Sequence, residues 1–327
     1  MRPVQALAVA WALAGCEEDQ LFVSAFEAEA PVVEVVCPGA EAMSPWQDVA
    51  LPPGDGLSAV WGTDASTLWV AGGDGAVLRF DGAAWQPEAE DLTAVDLLAL
   101  HGSARDDLWA VGRGGVALHF DGTAWRVVPS GTTEPLTGVW AFARDDAWMI
   151  GAEGVRHWDG RAIRAEPGWP VTPMNDLWAS SPVDLWIAGD QEIHHFDGAR
   201  FTTEPIHDAR IVSAIWGTDG AHIYSIGHGT SGQPGFAEQA QGHWLFGAAP
   251  PRAVFFALWG VAPRELWVGA SDTSIFVRRD GAWCRELLGA VGAINGFFGA
   301  GGRLWAVGAR RGAGGTTESM LLERKGS

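Results

Sequence analysis

The chain is poor in basic residues, in tyrosine and in cysteine. Its 327 residues carry 21 Lys and Arg against 40 Asp and Glu, a formal net charge of −19 at pH 7. A surface that acidic repels phosphate backbones and excludes nucleic acid as a partner. The one tyrosine is Tyr224, and it stands in a slot that tryptophan holds elsewhere. The three cysteines form no C-x-x-C pair, which removes zinc and thioredoxin-type readings. The apolar run from Ala6 to Ala14 is about nine residues, too short to span a bilayer. No G-x-S-x-G elbow, H-E-x-x-H helix, P-loop or D-x-D-x-D run is present, so the usual hydrolase, metalloprotease, nucleotide and calcium signatures are missing. No cofactor motif is left.

What is present is a repeat. Its clearest copy reads Val60-Trp61-Gly62, Leu68-Trp69-Val70-Ala71-Gly72, Phe80-Asp81-Gly82 and Trp85. A first anchor recurs at Trp61, His101, Trp140, Trp178, Trp216, Trp259 and Phe298. A second follows at Trp69, Trp109, Trp148, Trp186, Tyr224, Trp267 and Trp305. The unit returns every 38 to 43 residues. That period matches a four-stranded propeller blade, and regular helix patterns are rare. The fold expected is all-β: a seven-bladed β-propeller with four antiparallel strands per blade.

In the first copy the strands expected are Leu57–Gly62, Thr67–Gly72, Ala76–Phe80 and Ala84–Pro87. Asp81-Gly82 reads as the two-residue turn between the last two. The seventh copy stops at Gly326-Ser327 without an outer strand. Pro45-Trp46-Gln47-Asp48 fits that missing strand, so the last blade is expected to be completed from the N-terminus, which removes open edges. Each buried indole takes roughly 200 Å² from water, about 5 kcal/mol before entropy. Core packing is therefore the first reading for nearly every Trp.

A His or Arg recurs two places before the turn Asp: Arg79 with Asp81, His119 with Asp121, His157 with Asp159, His195 with Asp197, Arg278 with Asp280. Residues i and i+2 share a strand face, so each pair is expected to bond and to fix blade geometry. Asp107, Asp146, Asp184 and Glu265 are expected to cap turns and form an acidic collar on one rim. His194-His195 is weak as a metal pair, because alternate strand residues face opposite sides.

Functional residues should be those that break the repeat. Trp169, in Pro167-Gly168-Trp169-Pro170, is off register on a connection between blades. Two readings stand for it: a ligand-binding surface, or a plug in the ring. The candidate ligand-binding set is Trp169, Arg113, Glu153, Asp190, Asp272 and Arg310, with Arg311 beside it, all expected on one face. The fifth copy also carries an insertion, His228 to Gly235.

The N-terminus divides into three parts. Residues 1–15 read as a signal peptide, 16–43 as an acidic linker and 44–327 as the propeller. Leu13-Ala14-Gly15-Cys16 resembles the bacterial lipobox. That resemblance implies thioether lipidation of Cys16 and firm membrane anchoring. Glu17 rather than Asp after the Cys leans toward the outer membrane. Cys37 and Cys284 remain, and outside the cytoplasm they are expected to pair as a disulfide rather than stay buried thiols.

The repeats resemble the D-[VL]-W-[AV]-V-G family of Trp-rich bacterial propellers, of kelch- or galactose-oxidase-like type. The resemblance covers residues 44 to 327 and implies the fold. Copper chemistry does not carry over, since its Tyr and His ligands have no match. Sialidase-type propellers are similar only superficially: their Asp-box Trp follows the Asp by five places, where Trp85 follows Asp81 by four. The function expected is a lipid-anchored, monomeric, non-catalytic binding module of the bacterial cell envelope, with a protein or glycan ligand. The alternative is an envelope glycan hydrolase or lyase with paired acids on the same face.

Overall fold

The structure, a computed structural model, describes residues 36–38 and 44–325, apart from 90, 207–208, 230–233, 241, 251–253, 263–264 and 288–290. Cys16, the expected signal segment, most of the 16–43 linker and the middle of the fifth-copy insertion lie outside the described residues.

Seven antiparallel sheets of four strands each follow one another along the chain. Blade 1 is Leu57–Asp64, Thr67–Gly72, Val77–Phe80 and Trp85–Glu88. The inner strands of blades 2 to 7 are Leu97–Ala104, Leu136–Ala143, Met174–Ser181, Ala209–Asp219, Phe255–Ala262 and Gly292–Ala300. Each inner strand packs on the next, and the last packs on the first, so the circle closes. The number of blades, the strands per blade and the borrowed outer strand are those the repeat predicts.

The closing strand is Trp46–Asp48, paired antiparallel with Thr317–Lys325 in the register Trp46 to Arg324. Trp46 is buried. Its indole Nε1 donates to Glu286 at 3.3 Å, and Trp267 Nε1 donates to the same carboxylate at 3.4 Å. Arg324 grips Glu286 with two bonds of 2.9 and 3.0 Å, and Arg279 adds one of 2.8 Å. Glu286 lies on the outer strand of blade 6, and its carboxylate is almost fully buried. Two guanidiniums and two indoles satisfy it, which is what lets a charge sit there. Just upstream of the closing strand, Val36 bridges in parallel to Arg285. Cys37 is disulfide-bonded to Cys284, with Cα atoms 5.0 Å apart. The N-terminal chain thus binds blade 6 before it completes blade 7.

The Gly after the first anchor has a packing cause in three blades. The first-anchor Trp of blades 1, 4 and 6 lies over the Gly that follows the anchor in the next blade. A Cβ on Gly102 would come within 2.7 Å of Trp61, on Gly217 within 2.5 Å of Trp178, and on Gly299 within 2.1 Å of Trp259. Only hydrogen fits there.

The paired-residue reading needs correction. His119 does not bond Asp121. It lies 2.7 Å from Asp107, flat on Trp109 with ring centroids 4.2 Å apart. His157 meets Asp146 at 2.8 Å over Trp148, and His195 meets Asp184 at 2.8 Å over Trp186. In blade 1, Arg79 sits over Trp69 instead. Arg278 sits over Phe236 and pairs with Glu238. The cause is the ladder: His119 is the direct cross-strand partner of Trp109, and such neighbours are the closest available. The turn carboxylates are committed elsewhere. Asp81 accepts from the backbone N–H of Ala83 and Ala84, both at 2.9 Å. Asp121, Asp159 and Asp197 do the same. Asp107, Asp146 and Asp184 are therefore imidazole partners, not a free collar, and Asp107 is fully buried.

The turn itself is shifted by one. Asp81 bonds Ala84 across the loop, so Gly82-Ala83 are the two central residues, with φ of +94° at Gly82. Blade 6 alone among the described copies with Asp-Gly places both residues centrally: Arg279 pairs with Ala282, and Asp280 and Gly281 both have positive φ.

Candidate functional site

Antiparallel alternation puts two kinds of loop on one face, here the upper face. These are the turns between second and third strands and the connections from each outer strand to the next inner strand. The sequence-derived candidates all belong to such loops or to the strand ends beside them, but they do not converge. Arg113 bonds Asp96 at 2.9 Å. Glu153 accepts from Thr132 at 2.7 Å and from Arg156 at 2.9 Å. Asp190 accepts from Asn175 at 3.2 Å, and Asp272 caps the N–H of Ser274 at 2.9 Å. Arg310 meets Asp48 at 2.7 Å and Glu318 at 3.9 Å. No member of the set has another member as its partner. They sit on different blades around the rim, each tied to its own neighbours.

Trp169 has a packing role. Its ring contacts Phe201 at 4.4 Å, Phe196 at 5.2 Å and Trp148 at 5.5 Å. In most junctions an outer-strand Trp fills the gap against the previous blade, as Trp244 does against Trp186 at 6.0 Å. Blade 4 has Phe201 in that slot, and Trp169 supplies the missing bulk between blades 3 and 4. It plugs an inter-blade wedge rather than the ring's centre. His194 and His195 diverge as their alternation requires: the first meets Thr203 and Glu192, the second Asp184.

The inner strands of all seven blades line a central channel of about 460 Å³. Its aromatic lining includes Trp61, His101, Trp140, Trp216, Trp259 and Phe298. His101 stacks on Trp140 at 4.1 Å, and its Nδ1 accepts from the N–H of Ala141 at 3.1 Å. Enclosure in the wall pushes its pKa down to about 3, so it is neutral at pH 7.

One residue of the wall breaks the repeat. Two places before the first anchor the chain has Ala59, Ala99, Gly138, Ala214, Ala257 and Gly296, but Asp176 in blade 4. Among the described residues, Asp176 is the one acidic residue lining the channel. Its carboxylate accepts from Ile215 N–H of blade 5 and from Leu177 N–H, both at 2.9 Å. Burial nevertheless pushes its pKa up to about 7, since two backbone donors offset only part of the lost hydration. Aligning that column of small residues exposes it; attention to loops alone does not.

At the upper mouth the wall becomes apolar and open. Phe256, the second residue of the inner strand of blade 6, is 44% exposed. Val95, Val171, Val254 and Val291, on the connections into blades 2, 4, 6 and 7, are 40%, 76%, 40% and 67% exposed. A smaller acidic group lies on the same face. The Asp74 carboxyl shares a hydrogen bond with Asp55, and that contact, with the charges of Asp55 and Asp96, holds its pKa above the usual carboxylate value. Among the described residues no group of three or more His, Cys, Asp or Glu is arranged to hold a metal ion.

No family model matches the chain, and no curated protein matches it. Solved structures do, at low identity. YCF48 bound to D1 peptide aligns with a TM-score of 0.66 and 16% identity, over 86% of this chain and 97% of that one. YCF48 from Cyanidioschyzon merolae gives 0.67 and 16%, over 86% and 98%. The RRP9 WD40 repeats give 0.69 and 13%, over 89% and 99%. At such identities the likeness shows the propeller fold.

Proposed function

We propose that this protein is a non-catalytic binding module that docks a protein partner on the upper face, around the mouth of the channel. The observation that carries the reading is the apolar mouth: Phe256, Val254 and Val291 lie exposed on adjoining blades beside an aromatic-walled opening. Exposed apolar residues grouped on one side of a rigid scaffold mark contact surfaces. The likeness to YCF48 bound to D1 peptide supports a peptide or protein rather than a sugar. Trp169, half-buried against Phe201, offers little free face for stacking on a glycan. The proposal includes tethering to a bacterial envelope membrane through a lipid on Cys16, on the strength of the lipobox resemblance, and kinship with the Trp-rich propellers.

A second reading has one observation in its favour. Asp55, Asp74 and Asp96 form a carboxylate group on the upper face, as a glycan hydrolase or lyase requires. Asp55 and Asp74 are exposed to solvent.

The experiment is a parallel screen of the full chain against a peptide library and a glycan array, with Phe256→Asp as control. Docking predicts captured peptides, lost in F256D. Glycan binding or turnover that Asp74→Asn abolishes would replace this reading with the second.

A further inference from the structure

The channel wall is built for a positive charge. Eight aromatic residues, His101 among them, line it, and the one acidic group among the described lining residues is the Asp176 carboxyl. No Lys or Arg lines it, and His101 is neutral. Aromatic faces and a carboxylate are the two surfaces that attract a cation in a site shielded from water.

Asp176 does have local partners, Ile215 N–H on one carboxylate oxygen and Leu177 N–H on the other. Those bonds alone do not explain the residue. The other six blades build the same strand with Ala or Gly at this place, so circle closure needs no carboxylate there. The two N–H donors offset only part of the cost of ionising an acid in a confined wall. No Lys or Arg among the described lining residues offsets the rest. The volume, about 460 Å³, is in the range of small-ligand sites.

Position along the strand gives the direction of entry. Asp176 lies nearer the upper end of its inner strand than Trp178 does. A group entering from the upper mouth passes Phe256 first, then meets Asp176, then the aromatic collar. The net charge of −19 draws basic partners to the whole surface.

We infer that the channel receives a cationic side chain, Lys or Arg, from the docked protein partner, held by the Asp176 carboxylate and the aromatic collar. This rests on the docking reading above and names the chemistry of the group that anchors it. The aliphatic stem of such a side chain packs on the rings while its head reaches the carboxylate.

The test uses the full chain and three probes: the N-acetyl methylamides of lysine, arginine and glutamate. Tryptophan fluorescence and thermal shift report binding. A saturable response to a basic probe is expected, with the glutamate probe silent. Asp176→Asn keeps an oxygen acceptor for Ile215 and should weaken the basic probe by about tenfold or more. Phe298→Leu, which removes one ring of the collar, should weaken it independently. The inference is overturned if D176N and F298L both bind the basic probe as the parent does, or if the glutamate probe binds equally well. A captured peptide without Lys or Arg, bound as tightly by D176N as by the parent, would also overturn it and leave upper-face docking intact. Basic probes that enter the channel while no peptide is captured would support the cation site and remove the docking reading.

Discussion

The imidazole of His119 lies on the indole of Trp109 with the ring planes 13° apart, and its Nε2 reaches the buried carboxylate of Asp107 at 2.7 Å. This trio recurs with His157 and His195, so one device orders three consecutive blades. Burial opposes ionisation of Asp107, but the bonds from His119 and Ser103 outweigh it and hold its pKa below the usual carboxylate value. A depressed folded value means that the contribution is full above the unfolded value of 3.8 and is lost as pH falls through the folded one. Asp107→Asn should cost about 2–3 kcal/mol at neutral pH, and its stability curve should fall less steeply below about pH 4 than the parent's. Denaturant titrations between pH 3 and pH 7 measure both.

Asp176 predicts the opposite slope. Its folded pKa is raised, to about 7, so its contribution is full below the unfolded value of 3.8 and is lost as pH rises through about 7. Asp176→Asn should therefore gain on the parent by about 1–3 kcal/mol between pH 5 and pH 8. Parallel melting curves for the two proteins across that range would contradict the strained carboxylate.

The closing joint should be separable into its two parts. Cys37→Ser, or reduction of the bond to Cys284, should destabilise the parent by about 2–4 kcal/mol. Glu286→Ala leaves Arg279 and Arg324 without their shared acceptor, and should cost about 3–5 kcal/mol. Chemical denaturation with and without reductant reads the first effect, and E286A in oxidised protein reads the second.

Trp169→Ala should behave as a core truncation, losing about 3–5 kcal/mol of stability. Its affinity for any captured peptide should stay within about twofold of the parent at a temperature where both are folded. A normal melt with lost affinity would return Trp169 to the binding surface.

The blade count was legible because a period near 40 admits few folds, and because the seventh copy lacks the strand that Trp46 supplies. What failed to read was lateral. Counting along one strand pairs His119 with Asp121, but the indole across the ladder and the turn's own N–H groups compete for those side chains and win. The sequence leaves Trp169 between a binding surface and a plug, because the slot it fills is opened by Phe201, 32 positions later. Asp176 was hidden in a strand, where a repeat-breaking residue signals function as clearly as one in a loop.

The docking claim is tested most directly by hydrogen exchange on the full chain with and without a captured basic peptide. Protection is predicted at the upper mouth: around Val95, Val171, Phe256 and Val291, and along the inner strand at Asp176. Protection confined to the opposite face, at the turns near Ser66, Asp145 and Val183, with the upper mouth unchanged, would contradict it.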